Sequence, residues 1–225
     1  MNQTAINLIA ISIFSITISS LLGPLFNVPP AIPAVLTFCL LGLATVDSFN
    51  WQGQLGTLLI EKISGISPEN RQRIIHHEAG HFLVAHLLEI PIAGYALSAW
   101  EAFQQGQSAQ GGVRFDDQKL NAELEQGQIS ALILERYSKV WMAGIAAEQF
   151  VYGNAQGGAE DRQKVRALYT QIGMASQAQI KERGSALQAL NLIQTHQEAY
   201  QALVKAMTEK LSVEECCQLI DQHRS

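Results

Sequence analysis

The residues His77-Glu78-Ala79-Gly80-His81 constrain the fold more than any other stretch, because two histidines four apart with a glutamate after the first are the pattern of a zinc-peptidase helix. On a helix both imidazoles leave the same face one turn apart, so both can bind one cation. Glu78 lies about 100° around that helix from His77, which places it beside the cation rather than on it. The pattern predicts that His77 and His81 bind Zn²⁺ and that Glu78 is a catalytic base acting on a water molecule.

The flanking sequence indicates a buried helix of about 22 residues. Ser67 is a good cap, Pro68 suits a first helical position, and Ile90-Pro91 ends the pattern. Apolar residues occupy both the histidine face and the opposite face, as in a helix packed on all sides. A buried imidazole left without a partner costs about 1–3 kcal/mol, and a metal ion removes that cost. The alternative is a chance match on a core helix that contains histidines.

The first 46 residues carry no charged side chain. Residues 5–22 and 28–46 form two uncharged runs, each close to the roughly 20 residues that span a bilayer. We therefore predict a transmembrane helical hairpin over residues 1–47, with one span plus a buried or interfacial segment as the alternative. The nearby basic residues Lys62, Arg71 and Arg73 follow the second run, which predicts an integral membrane protein whose large domain faces the cytoplasm or stroma.

Composition excludes some functions. The net charge is −5 over 225 residues, so no nucleic-acid partner is expected. The three cysteines are Cys39 and the adjacent pair Cys216-Cys217, which form no spaced disulfide framework and indicate a reducing compartment.

The remaining chain predicts a mainly α fold with a small β-hairpin. Residues 48–66 form a connector with a short amphipathic helix, and residues 67–225 form the main domain. Two strands are predicted at residues 92–99 and 112–115. A strand beside a zinc helix can pair with an extended substrate backbone, although an ordinary surface hairpin fits the sequence equally well. A helix is predicted over residues 129–152 and should end at Gly153-Asn154. Further helices are predicted after Gly157-Gly158 and two or three times between residues 183 and 223.

Two carboxylates are candidates for a third metal ligand. Glu148 falls on an otherwise apolar stripe of the helix over residues 129–152. Asp161 faces inward in the first turn of the next helix, whereas Glu160 can pair with Lys164 in solvent. Asp161 could instead simply favour the positive end of its helix, and Glu148 could either bind the metal or hold a histidine. Periodicity alone leaves these alternatives open.

Three motifs resemble, in order and spacing, the peptidase domain of FtsH, the membrane-bound ATP-dependent zinc protease. They are His77-Glu78-Ala79-Gly80-His81, then Gly144-Ile145-Ala146-Ala147-Glu148 with Tyr152-Gly153, then Gly158-Ala159-Glu160-Asp161. The resemblance covers about residues 68–210. It implies a mostly helical zinc-peptidase domain in which His77, His81 and Asp161 bind Zn²⁺ and Glu78 is the catalytic base.

The sequence departs from FtsH in two places. Ile145 stands where that family commonly has an arginine. No Gly-x-x-x-x-Gly-Lys-Ser/Thr loop occurs, and only about 20 residues join Val46 to Ser67, so the ATPase module of FtsH is missing. The chain resembles a stand-alone relative that binds a polypeptide substrate and a lipid bilayer. It would associate with itself or with a separate ATPase-bearing FtsH-type subunit.

Three functions fit these observations. The first is a membrane-anchored zinc metalloendopeptidase without its own ATPase. The second is an intramembrane site-2-type protease, which the many polar groups between His76 and Glu89 and the missing Asn-Pro-Asp-Gly sequence disfavour. The third is a catalytically silent FtsH-like partner or assembly factor of a membrane complex, which the intact histidines and glutamate disfavour.

Overall fold

The protein is mainly helical with one small antiparallel sheet, which confirms the predicted fold class at that level. The computed structural model describes residues 3–29, 31–50, 67–105 and 111–224. Two compact units are found: residues 1–66 with 98–111, and residues 67–97 with 112–225. Most of the predicted connector over residues 48–66, including its amphipathic helix, lies outside the described residues.

The helices and strands of the described residues follow in chain order. They are α1 (Gln3–Leu22), a 3₁₀ turn (Gly23–Phe26), α2 (Ala31–Asn50), α3 (Pro68–Leu87), β1 (Ile92–Ala96), α4 (Ala99–Gln104), β2 (Gly112–Phe115), α5 (Gln118–Glu125), α6 (Ala131–Tyr152), α7 (Ala159–Gln171), a 3₁₀ turn (Ala175–Gln177), α8 (Ala178–Thr195), α9 (Gln197–Thr208) and α10 (Val213–His223).

The first unit contains the predicted pair of N-terminal helices, α1 and α2, which contact each other. Their connection is tight, with Asn27 in the left-handed region at φ 56°. In the described part of the chain, however, no helix is both long enough and apolar enough to cross a membrane. The prediction of two transmembrane spans is therefore not supported. Hydroxyl side chains lower the apolar content of α1, namely those of Ser12, Ser15, Thr17, Ser19 and Ser20.

In the second unit, α3 packs most extensively against α6. The predicted caps of both helices are confirmed. The Ser67 hydroxyl accepts a hydrogen bond from the Asn70 amide at 3.2 Å, and α6 ends at Gly153, where φ is +73°. The backbones of the two helices approach closely at Gly80, because a methyl group there would lie 2.5 Å from the Ala143 carbonyl oxygen. This close packing presents the histidine face of α3 to α6.

We expect Gly80→Ala to destabilise the second unit by about 1–3 kcal/mol, because overpacking a tight helix contact forces the backbones apart. Gly184→Ala is the matched control, since a methyl group at that position on α8 meets nothing within 4 Å. Removing a helical glycine there should leave stability unchanged or raise it by up to about 1 kcal/mol. Urea unfolding curves of the two variants measure the difference, and equal midpoints would contradict the packing described.

The sheet consists of β1 and β2, with Tyr95 opposite Val113 and an irregularity between Ile92 and Gly94. The second strand forms as predicted. The first is shorter than predicted because the chain turns at Ser98, whose hydroxyl accepts a hydrogen bond from the Glu101 amide and caps α4. Three helices, α8 to α10, follow α7, in agreement with the two or three predicted over the last part of the chain.

Candidate metal centre

Three predicted ligands, His77, His81 and Asp161, lie together in the second unit. The distance between His77 Nε2 and His81 Nε2 is 3.0 Å, and Asp161 Oδ2 lies 3.2 Å from the former and 3.5 Å from the latter. Four ligands placed tetrahedrally around Zn²⁺ at about 2.0–2.1 Å are about 3.3 Å from one another. The three atoms therefore have the spacing of one face of such a site, and the cluster could hold a metal ion.

Two separate helices bring these side chains together. His77 and His81 project from α3, and Asp161 lies in the first turn of α7, just after Gly158 at φ +84°. A third helix, α6, passes directly behind the histidines. A methyl group on its Gly144 would lie 2.3 Å from His77 Nε2 and 2.5 Å from His81 Nε2, so the site requires glycine at this position.

Hydrogen bonds fix which nitrogen of each histidine faces the cluster. His81 Nδ1 lies 2.7 Å from the Val140 carbonyl oxygen, which can only accept, so Nδ1 carries the proton and Nε2 presents a lone pair. His77 Nδ1 likewise donates to Glu148 Oε1 at 2.8 Å. The two Nε2 atoms and one carboxylate oxygen therefore converge as acceptors. Without a positive charge between them this arrangement is repulsive, and either a metal ion or an added proton removes the repulsion.

The pKa values of His77 and Asp161 agree with this need for a positive charge. Burial alone would lower the pKa of His77, but its hydrogen bonds to Asp161 and Glu148 and the charge of Glu78 raise it to about 10. Burial alone would raise the pKa of Asp161, yet the adjacent His81 and His77 hold it well below its usual range. In the metal-free protein a proton on His77 therefore takes the place of a cation at neutral pH.

We expect zinc uptake at pH 7.5 to release about one proton per ion, because His77 must lose its added proton before Nε2 can bind a metal. Since the pKa of His77 is about 10, the apparent zinc affinity should rise with pH up to that value, and the proton release should fade above it. Calorimetric titration of the metal-free protein in buffers of different ionisation enthalpy measures the proton count. Binding at pH 7.5 with no proton release would contradict this charge assignment.

Glu148 is not among the three clustered ligands, and it holds His77 in place instead. Its second oxygen accepts from Arg73 at 2.8 Å and from the Gln156 amide at 2.8 Å, while the Gly157 amide donates to the first at 3.1 Å. Burial would raise the pKa of Glu148, but the bonds to His77 and Arg73 lower it to about 2. The carboxylate is thus ionised and oriented at neutral pH, as in sites where a carboxylate fixes a metal-binding histidine.

We expect Glu148→Gln to weaken zinc binding about 10- to 100-fold, which is the usual effect of removing such an orienting carboxylate. Arg73→Ala should have the same effect to a smaller degree, because Glu148 keeps its two backbone amide partners. Competition against a zinc chelator measures both affinities. Unchanged affinity in Glu148→Gln would show that this carboxylate does not position His77.

Glu78 lies next to the cluster but outside it. Its Oε2 accepts a hydrogen bond from the Val113 amide of β2 at 2.9 Å, and its negative charge raises the pKa of His77. The two neighbours on α3 therefore have different partners. The His77 ring faces His81 and Asp161, and the Glu78 carboxylate is held beside this cluster by β2.

Several contacts at the site were not predicted. The Arg73 side chain lies on the face of His77, four positions earlier, so helical spacing could have identified it. The Val113 amide and the Val140 carbonyl are backbone groups, which give no side-chain signal. Lys164 approaches Asp161, at 3.8 Å, rather than the predicted Glu160.

The isoleucine that departs from the FtsH pattern has an apolar role. Ile145 is 6 % exposed, and its side chain lies so close to Gly158 that a methyl group there would overlap it. Ile145 therefore packs against the turn that leads into α7 and Asp161.

Comparison with known proteins does not assign the chain to a family. No family model matches the chain, and no match is found among curated proteins. The resemblance to FtsH stays a prediction, and the function has to be argued from the site.

Proposed function

We propose that this chain is a zinc metallopeptidase of the His-Glu-x-x-His type that hydrolyses peptide bonds without an ATPase of its own. The observation that carries the proposal is the convergence of His77, His81 and Asp161 with the Glu78 carboxylate beside them. Two imidazoles and one carboxylate are a ligand set typical of zinc enzymes that keep a position open for water.

The proposed chemistry divides between the metal and Glu78. Zinc, when bound by His77, His81 and Asp161, would supply Lewis acidity that favours deprotonation of a water molecule and polarises the substrate carbonyl. Glu78 accepts the proton as the water oxygen bonds to the carbonyl carbon. It then donates that proton to the leaving nitrogen as the carbon–nitrogen bond breaks. Its hydrogen bond from Val113 keeps the carboxylate in one orientation.

A polypeptide substrate would align along β2. One edge of this strand pairs with β1, while the Val113 amide points toward Glu78. An extended chain laid beside β2 would bring its backbone next to Glu78, as in substrate binding by strand addition. Without an unfoldase, the substrates would be flexible segments or short peptides.

The hairpin of α1 and α2 supports association with a lipid bilayer as part of the same proposal. Large apolar side chains on it are exposed, including Leu21, Leu25, Phe26 and Phe38. No charged residue occurs before Asp47. Such a surface fits the bilayer better than water. The peptidase unit would lie on the cytoplasmic or stromal side and would associate with itself or with a separate ATPase-bearing FtsH-type subunit. Only the second kind of partner would unfold folded proteins for cleavage.

Cleavage of casein or a quenched fluorescent peptide by the full chain tests the proposal. We expect turnover with zinc, loss of turnover with a chelator, and recovery when zinc is restored. Tight zinc binding with no cleavage of any peptide tested would instead favour the catalytically silent partner.

A further inference from the structure

A cavity of about 400 Å³ lies between α6, α7 and α8, well away from the metal centre. Its volume falls within the roughly 300–1,000 Å³ typical of small-molecule sites. Glu135 on its wall precedes the metal-facing Gly144 by nine residues of α6, which corresponds to about 14 Å along the helix axis. Tyr169 on its wall follows Asp161 by eight residues of α7, or about 12 Å. Both helices therefore run from the candidate metal site to the cavity.

The cavity has an apolar wall formed by Ile129, Leu134, Ile172 and Met174. Tyr169 also lines it and is 1 % exposed. Within the described part of the chain its hydroxyl has no hydrogen-bonding partner. The hydroxyl is not among the buried polar atoms that lack a partner, so it is reachable from the cavity and can hydrogen-bond to a polar atom of a ligand there.

Two opposite charges line the same cavity, Glu135 on α6 and Lys181 on α8. They do not pair with each other, and among the described residues neither is paired with another charge. An unpaired carboxylate and an unpaired ammonium group beside an apolar wall are complementary to a ligand with both charges and apolar side chains. A short apolar peptide with free ends has this chemistry, and the cavity has room for about two residues.

We propose that this cavity binds an apolar dipeptide with free termini. Glu135 binds the terminal ammonium group, Lys181 binds the terminal carboxylate, and the Tyr169 hydroxyl binds the peptide group. The inference rests on the proposed function in one respect, because a peptidase releases peptides of this class. The cavity would then be a product site distinct from the metal centre.

Calorimetric titration of the full-chain protein with Leu-Leu tests the proposal, in the Glu78→Gln background so that no turnover is needed. We expect one saturable site, with affinity at least tenfold weaker in Lys181→Gln and in Glu135→Gln and a few-fold weaker in Tyr169→Phe. Lys205→Gln, an exposed lysine of α9, is the matched control and should bind like the parent. The doubly blocked N-acetyl-Leu-Leu-amide should bind at least tenfold more weakly than Leu-Leu.

Three results would overturn the proposal: no saturable binding, equal binding by the Lys181→Gln and Lys205→Gln variants, or equal binding of the blocked peptide. A fourth is loss of Leu-Leu binding in Asp161→Ala, which would place the peptide at the metal centre. Because none of these readouts depends on hydrolysis, a chain that binds Leu-Leu in the cavity but cleaves nothing would refute the peptidase proposal and leave the binding site standing.

Discussion

Glu78→Gln is expected to reduce kcat/KM for peptide hydrolysis by a factor on the order of 10²–10⁴ or more while leaving bound zinc unchanged. Glutamine has nearly the same shape as glutamate, and its amide oxygen can still accept the hydrogen bond from Val113. It cannot accept a proton from water. The substitution therefore removes the proton transfer and keeps the geometry. Initial rates on a fluorescent peptide, together with zinc content, measure the two effects separately.

Glu69→Gln is the matched control, because it makes the same chemical change at an exposed position of the same helix. It should retain the activity of the parent. If Glu78→Gln also retained that activity, Glu78 would not be the base, and the proposed mechanism would fail even with zinc bound.

Asp161→Ala should have the second largest effect, the loss of tight zinc binding. The substitution removes one of three ligands and leaves two histidines whose Nε2 atoms are 3.0 Å apart. We expect zinc affinity to fall by more than the roughly 10- to 100-fold caused by removing an outer carboxylate. Activity should disappear at zinc concentrations that saturate the parent. Chelator competition gives the affinity, and circular dichroism shows whether the helices remain.

The neighbouring residue provides the control. Glu160 is exposed in the same first turn of α7, so Glu160→Ala should bind zinc like the parent. Equal zinc affinity in Asp161→Ala and Glu160→Ala would remove Asp161 from the ligand set and leave Glu148 as the remaining carboxylate to test.

The sequence predicted the long helices of the second unit because their signals are local, whereas the short helix α5 was not predicted. Ser67 and Gly153 are standard cap residues at the ends of long apolar patterns, and the structure places both where expected. The first strand was predicted too long, since the cap at Ser98 competes with strand continuation. The N-terminal runs form helices, but the membrane spans predicted from their low charge are not supported among the described residues.

Periodicity left the third ligand open between Asp161 and Glu148 because it shows only which face a side chain occupies. Both carboxylates face inward, and both contact His77, one at each ring nitrogen. Only the tertiary structure separates the carboxylate that clusters with both histidines from the one that holds the His77 ring. The cavity between α6, α7 and α8 was likewise hidden, since its charged residues come from different helices.

Crystals of the zinc-loaded protein, measured on both sides of the zinc absorption edge, test the central claim most directly. The account predicts one anomalous peak about 2.0–2.2 Å from His77 Nε2, His81 Nε2 and an oxygen of Asp161, with Glu78 adjacent and not bound. The absence of a peak between these three side chains, or a zinc ion held by other residues, would contradict it.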